Sequence, residues 1–482
     1  MSDLKAIARL LAHEQGRAVP ITRERSIPIS SRPLVLIPIN MAGESPSLFA
    51  LGVGTVDGDL QIEVCCEPRA RAEQYEMLER AAARIEQVIA DWEDDPAALP
   101  QIITPSSAAT KLMLAVIDRM AFTPAAQRPL LSRVGRALYV TDRAFERPDS
   151  AMLLDMPTAL TKTFATGQDD HADQHLGALL QWFEPADGEI FRRVREAEAL
   201  TVSTATAPDL DNNELDPRLA RLRVARRDGD TGTATQLEQE IRSIFTVEVT
   251  RRYELVLRSL EIVRALPECA AAYEIHNADR TRFDKHRAYV ADSQRHMTRG
   301  VQNNFAVAEF LEREFAADRV EGLCTRSESG ARGAARLAGD IVIGEVLSRS
   351  QRVQGRRTIV EYDILSTQDR LAIRPGDTRV LINGREEFGF RVRGYEAQSQ
   401  GTVIHAELTA GKTKPGQPTT GELVELAPQV ASDFRISRAM GLTWERLKSR
   451  REPPQVTGPV PQSQDLLTAV RRHRRSGQRE GS

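Results

Sequence analysis

From Asp340 to Pro428 the hydrophobic period of the chain becomes two, and turn residues interrupt it at short intervals. No other stretch constrains the fold as tightly. Strands are expected at Ile341–Val346, Thr358–Asp363, Arg379–Ile382, Phe388–Tyr395, Thr402–Leu408 and Leu423–Leu426. The turns between them are explicit: Pro375-Gly376-Asp377, Asn383-Gly384, Gln400-Gly401 and Thr420-Gly421. Six short strands within residues 340–428 predict a small closed β-barrel, because closure removes the unpaired edges an open sheet would expose.

At 482 residues the chain is too long for one core, so several domains are expected. A first helix is read over residues 2–15, and three strands follow at Leu34–Ile39, Leu48–Val56 and Leu60–Cys66. Asp57-Gly58 marks a hairpin between the last two. Tyr75, Leu78, Ala82, Ile85 and Ile89 have helical spacing within a helix from Arg71 to Trp92. Next come a strand at Gln101–Thr104, a helix capped at Ser106-Ser107, and a strand or helix end at Leu138-Tyr139-Val140. Three strands, helix, strand and helix is the order of an RNase H-like domain.

Residues 150–200 read as helical, and the Thr/Ala/Pro/Asp-rich stretch from Ser203 to Pro217 reads as a linker. The stripe Leu237, Ile241, Ile244, Tyr253, Val256, Leu260 and Val263 predicts a long helix ended by Leu266-Pro267, with further helices at 268–298 and 302–318. The expected class is α+β, with six segments: an RNase H-like α/β domain at 1–145, a helical segment at 146–202, the linker at 203–217, a helical stalk at 218–339, the barrel at 340–428 and a basic, Pro-rich tail at 429–482.

Net charge is −3, so a uniformly cationic coat for nucleic acid is excluded and any such binding must be local. Only seven of the 65 basic residues are Lys. Cys65, Cys66, Cys269 and Cys324 form no C-x-x-C pair, and adjacent strand residues point to opposite faces, so the first two are not expected to share a metal. Reduced, mostly buried thiols are expected. Neither a signal peptide nor a long apolar span is legible, and a cytoplasmic location without membrane contact is expected.

The layout resembles the non-motor, N-terminal part of bacterial superfamily 1 helicases of the nonsense-decay-helicase type. The resemblance rests on the helices 236–318, the strand from Gly339-Asp340 to Val346, the turn Arg374-Pro375-Gly376-Asp377 and the strand Gly421-Glu422-Leu423-Val424. It implies a barrel carried on a helical stalk and leaning on single-stranded nucleic acid, with an RNase H-like domain ahead of it. Two departures limit what carries over. Thr409-Ala410-Gly411-Lys412-Thr413 has Ala406 where a phosphate-binding loop needs its first Gly, and Pro415-Gly416 block the helix that must follow. A β-turn is expected there. The first strand, Leu34 to Met41, and the strand Gln101–Thr104 carry none of the acids that hold metal in nucleases of that fold. Gly52-Val53-Gly54 is not a dinucleotide fingerprint either, since Asp57 stands where the third Gly belongs.

Candidate sites are few. Alternation places Arg391, Arg393 and Tyr395 on one face of a barrel strand, suited to tracking a backbone and stacking a base, with Phe388, Phe390 and Val392 on the other. The tail from Gln429 holds eleven basic and five acidic residues, a net +6, concentrated at Arg471, Arg472, Arg474 and Arg475 around His473. His171 and His175, with Asp170, are the candidate metal ligands, since i, i+4 histidines share one face of a helix. Asp279, Arg280, Arg282, Asp284, Lys285, His286 and Arg287 read as a solvated ion-pair face, with Arg295, His296 and Arg299 adding positive charge.

No catalytic residue or cofactor is expected. The leading expectation is a non-enzymatic accessory that binds single-stranded DNA or RNA beside a separately encoded helicase or other ATPase. The alternatives are a divergent metal-dependent nuclease and a protein–protein scaffold that binds no nucleic acid.

Overall fold

The computed structural model describes residues 2–41, 46–145, 147–185, 188–200, 215–292, 297, 303–355, 357–382 and 384–429. The chain divides into two units, one of Met1–Met297 with Phe315–Ser432 and one of Thr298–Glu314 with Asp433–Ser482. Of the second, the described part is the first half of the helix Asn303–Ser327. Of the expected linker 203–217, residues 203–214 lie outside the described residues, as does the tail beyond Gln429, while Asp216-Pro217 already open the helix Asp216–Asp228.

The first unit begins with a helix, Ser2–Gln15, and a short strand β1 (Val19–Pro20). Its main sheet contains β2 (Leu34–Asn40), β3 (Leu48–Gly54), β4 (Gln61–Val64), β5 (Ile102–Thr104) and β6 (Leu153–Asp155), in the order β4-β3-β2-β5-β6. The first three run antiparallel, while β2–β5 and β5–β6 pair in parallel. Strand β7 (Phe164–Ala165) pairs with β1. The stretch from 150 to 200 is therefore not all helix, since the sheet takes its last strand from it. Leu153-Leu154-Asp155 is too short to show a period, and only pairing with β5 defines it as strand.

Both faces of the sheet are buried, which explains the continuous apolar run of β2. One face packs Leu34, Leu36, Val53 and Ile102 against the helices Arg71–Asp94 and Ser107–Ala121. Ser106 caps the second of these, its side chain accepting the amide of Ala109. The other face packs Val35, Ile37, Phe49 and Ile103 against Phe245, Val249, Tyr253, Val256 and Leu260 of the helix Thr231–Arg264. The rings of Phe49 and Phe245 stack at 5.0 Å.

This corrects the reading of residues 218–339 as a stalk separate from the first domain. The apolar stripe of Thr231–Arg264 must leave water, and the open face of the sheet is where it does so. Gly52 and Gly54 permit the approach: a Cβ on Gly52 would lie 2.5 Å from Val249 Cγ1, and one on Gly54 2.8 Å from Tyr253 Cε2. The Gly-Val-Gly of β3 is a seat for a helix. Cys65 and Cys66 enter the cores on opposite sides of the sheet, as strand alternation requires.

The helix Ala270–Ala291 also packs on this domain. Asp279 is fully buried, and Phe283 meets Trp92 edge-on at 6.1 Å. The expected solvated face is thus partly an interface. Arg280 donates to the carbonyls of Trp92 and Asp95 at 2.6 and 3.0 Å while also pairing with Asp284. Arg295, His296 and Arg299 lie outside the described residues.

The barrel is closed in the order β10-β11-β12-β9-β8-β13. Its strands are β8 (Val342–Gln354), β9 (Arg357–Ser366), β10 (Thr378–Leu381), β11 (Gly389–Gln398), β12 (Gly401–Leu408) and β13 (Leu423–Pro428). Tyr362, Ile364, Phe388, Phe390, Val392, Ile404 and Leu426 fill its interior. Buried Arg379 ties the Arg374–Asp377 turn, donating to the Ala372 carbonyl at 2.8 Å and to Asp377 at 3.1 Å. The helix Ser329–Ala338 docks on it through Arg332 and Arg336, each 2.5 Å from Glu425. Architecture is thus α+β, with one closed six-stranded barrel.

Candidate nucleic-acid interface

The strand proposed to face nucleic acid is β11. Phe390 and Val392 point into the barrel, and Arg391 is exposed, as alternation predicts. The alternation then breaks, because a β-bulge falls between Val392 and Gly394. Arg391 lies opposite Glu407, whereas Tyr395 lies opposite buried Ile404, three residues away on β12. Directly opposed residues share a face, so Arg391 and Tyr395 occupy opposite faces. The expectation of one Arg-Arg-Tyr face is corrected by the extra residue at Arg393. Tyr395 is nonetheless 53% exposed, because it lies toward the free end of the β11–β12 hairpin.

The two arginines also differ in availability. Arg393 pairs with Glu407, whose carboxyl is held below its usual range by the hydrogen bond from Arg393, with Lys412 adding to the effect at 3.5 Å. Arg391 makes no hydrogen bond or ion pair with another described residue. Farther along this outer face, Asp363 bridges Ser348 and His405, each at 2.7 Å. Burial opposes ionisation of Asp363, but the bonds from His405 and Ser348 outweigh it and lower its pKa. With the carboxylate between the other two, this row lacks the serine–imidazole contact that activates a nucleophile.

A second cationic feature is visible only with the strand pairings in hand. β13 pairs with β8 from Val342 to Glu345, and β12 pairs with β9 from Glu361 to Ser366. Residues 351–354 and 357–360 therefore pair with each other alone, as the short end of the β8–β9 hairpin, with Val360 still in the barrel core. Between Leu347 and Val360 the sequence holds four arginines, Arg349, Arg352, Arg356 and Arg357, and no acid. Arg349 anchors the hairpin, donating to the Tyr362 hydroxyl at 3.2 Å and to Gln417 at 2.8 Å. Lys412 secures the other strand through the Thr358 carbonyl at 2.9 Å. Arg352 pairs with half-exposed Glu361 at 3.0 Å, and Arg357 is exposed with no such partner among the described residues. The acid-free run was the available sequence signal, but it falls between the two expected strands Ile341–Val346 and Thr358–Asp363.

Lys412 belongs to the Gly-Lys-Thr sequence. Its commitment to Thr358 and Glu407, in a turn after β12 with Gly411 at φ +77°, is structural.

The segment 169–175 is not an α-helix. Asp169 accepts the amides of His171 and Ala172 and opens a 3₁₀ turn, Ala172–Gln174. His171 and His175 flank that turn, so the shared helical face expected of them does not form. Asp170 is matched by Lys5 and Arg9 at 2.9 and 2.5 Å. His175 Nδ1 accepts the amide of Ala178, and burial pushes its pKa down. Asp173 is buried on Thr166, Gln168 and Arg9, with its pKa raised by burial. The cluster staples the helix Ser2–Gln15 in place.

At the C-terminal ends of the three parallel strands stand Asn40, Thr104 and Asp155. Asn40 Oδ1 accepts the Ser47 amide and its Nδ2 donates to the Met41 carbonyl, both at 2.8 Å. Thr104 bonds Thr110 at 2.6 Å. Asp155 accepts the Thr158 amide at 2.9 Å as a helix cap. Among the described residues no group of three or more His, Cys, Asp or Glu is placed to hold a metal ion. No helix among the described residues is long and apolar enough to cross a membrane. Arg471, Arg472, Arg474 and Arg475 lie outside the described residues. Comparison with protein-family models, curated proteins and solved structures finds no match to this chain.

Proposed function

We propose that this protein is a non-enzymatic accessory that binds single-stranded nucleic acid through its barrel, beside a motor ATPase supplied by another chain. The observation that carries the reading is Arg391: an exposed guanidinium on a closed barrel with no ion-pair partner among the described residues, and with Arg393 and Lys412 around one carboxylate beside it. Guanidinium groups so placed bind phosphates by charge and hydrogen bonding. Tyr395 meets the same strand only if the nucleic acid wraps the free edge of β11, since the bulge turns it to the other face. The tail arginines Arg471, Arg472, Arg474 and Arg475 add charge that needs no fixed geometry.

The RNase H-like reading of the first domain belongs to this proposal. It is supported by three antiparallel strands followed by two parallel ones added at β2, with helices on both faces. Asn40 and Thr104 at the strand ends, engaged in local hydrogen bonds, favour a structural over a nucleolytic role. A cytoplasmic location goes with this reading.

The test is fluorescence anisotropy of labelled single-stranded DNA and RNA against the full chain across a salt series. Binding that weakens with salt and with Arg391→Ala supports the barrel as the contact surface. No binding at low salt would sink the proposal and favour the scaffold alternative.

A further inference from the structure

We infer that Arg71, Tyr75 and Arg119 form a binding site for a terminal phosphate monoester, on the sheet face opposite the helix Thr231–Arg264. Nothing in this site depends on the barrel. Tyr75 lies one turn after Arg71 on the helix Arg71–Asp94, so the two share a face. Arg71 Nη2 donates to the Tyr75 hydroxyl at 3.3 Å, and its Cζ lies 5.5 Å from the centre of the ring. Arg128, just ahead of the helix Pro129–Leu138, brings a second guanidinium to 5.4 Å of the same ring. Arg119, from the last turn of the helix Ser107–Ala121, is a third, and its charge acts on both Tyr75 and Arg71. Buried Thr123 donates to the Arg119 carbonyl at 2.8 Å and stands beside the same phenol.

The charges around this phenol are not balanced. Among the described residues Arg128 alone of the three has a carboxylate, Glu79 at 2.5 Å. Glu73 is two residues from Arg71, does not share its face, and is taken by Arg226 at 2.7 Å. Arg119 is half-buried, and a half-buried cation without an anion is costly. Burial pushes its pKa down and the Arg71 charge adds to this, with Tyr75 alone opposing them. Arg71 opens a helix whose N-cap, Ala70, makes no side-chain bond, so it adds a cation to the positive end of the dipole. Guanidinium forks bind carboxylates and phosphates alike, but a carboxylate offers only two oxygens in one plane. Two forks and a hydroxyl, arriving from two helices, match the three free oxygens of a phosphate monoester. The competing explanation is that the arginines only pack their stems around the Tyr75 ring.

The full chain is titrated calorimetrically with inorganic phosphate, with acetate as the carboxylate control. Phosphate is expected to bind at least about tenfold more tightly than acetate. Arg71→Gln with Arg119→Gln should weaken phosphate binding by at least about tenfold. Tyr75→Phe keeps the ring under the arginines and should still weaken binding severalfold. Thermal melting without phosphate reports whether each variant folds, and Arg71→Gln alone, at an exposed position, serves if the double variant does not. The source of the phosphate is read by anisotropy of one single strand carrying either a 5′-phosphate or a 5′-hydroxyl. Tighter binding of the phosphorylated strand, lost in the variants, assigns the site to strand ends. Equal binding of both strands, or of neither, together with variant-sensitive phosphate binding, assigns it to small phosphate esters. No phosphate binding, equal binding of acetate, or phosphate affinity unchanged in the folded variants would overturn the site and leave the barrel reading untouched.

Discussion

Asp279 Oδ2 accepts the backbone amide of Ala151 at 2.6 Å, tying the helix Ala270–Ala291 to the start of the sheet's last strand. The other oxygen takes Arg282 at 2.8 Å, and Arg282 reaches on to Asp149 at 2.5 Å. A residue of the supposed solvated face is thus a buried joint between segments far apart in sequence.

Burial raises the Asp279 pKa to about 6, against the opposing pull of Arg282 and of the bonds to Ala151 and Ser150. An unfolded aspartate titrates near about 3.9, so between these values the folded protein holds the extra proton. The stability Asp279 contributes is therefore full below the lower value and is lost as pH rises through the upper one. Relative to Asp279→Asn, the native protein should lose on the order of 3 kcal/mol between acid and neutral pH. Urea unfolding of both proteins across that range is the measurement, and parallel profiles would refute the assignment.

Gly52 and Gly54 are the contact points of the helix Thr231–Arg264. Gly52→Val must displace Val249 or the helix backbone and should cost about 1–3 kcal/mol, with a similar effect at Gly54→Val. Loss of nucleotide affinity is not the expected readout. A drop in the urea midpoint is, and an unchanged midpoint would contradict the packing.

Around Glu407 the expected effects have opposite signs. Arg391→Ala should weaken single-strand binding about tenfold, and Arg393→Ala less, because Arg393 already engages Glu407. Glu407→Gln removes a negative charge and releases Arg393 and Lys412, so affinity should rise. Anisotropy at low salt decides this; weaker binding by the Glu407 variant would exclude this face.

Cys66 is pushed up to about 11 and Cys324 to about 12, in both cases chiefly by burial, and burial raises Cys65 as well. The thiolate is the reactive form, so these thiols should react with a disulfide reagent at neutral pH only after unfolding. Fast labelling of the native chain would show the cores to be open.

The barrel was legible because a half-buried strand signs itself by alternation and its turns by Gly, Asn and Pro, and five of its six strands fall close to where those signals placed them, while β8 runs on from Val346 to Gln354. Helix Arg71–Asp94 and the Ser106 cap were legible for the same local reason. Strand β6 was not, because three residues carry no period. The Arg391–Tyr395 face was misread because a bulge adds one residue without altering composition, and every side chain beyond it changes face. For His171 and His175 the spacing was right and the helix was missing, since Asp169 caps a 3₁₀ turn instead.

By itself the sequence determined where the barrel strands begin, the helix Arg71–Asp94 and the cap at Ser106, since periodicity, caps and glycine conformations are properties of neighbouring residues. Tertiary structure alone decided that the long helix covers a sheet, that Asp279 is buried and that Arg391 and Tyr395 occupy opposite faces. The physical reason is that burial and pairing join residues distant along the chain, and no local pattern records which apolar face will meet which.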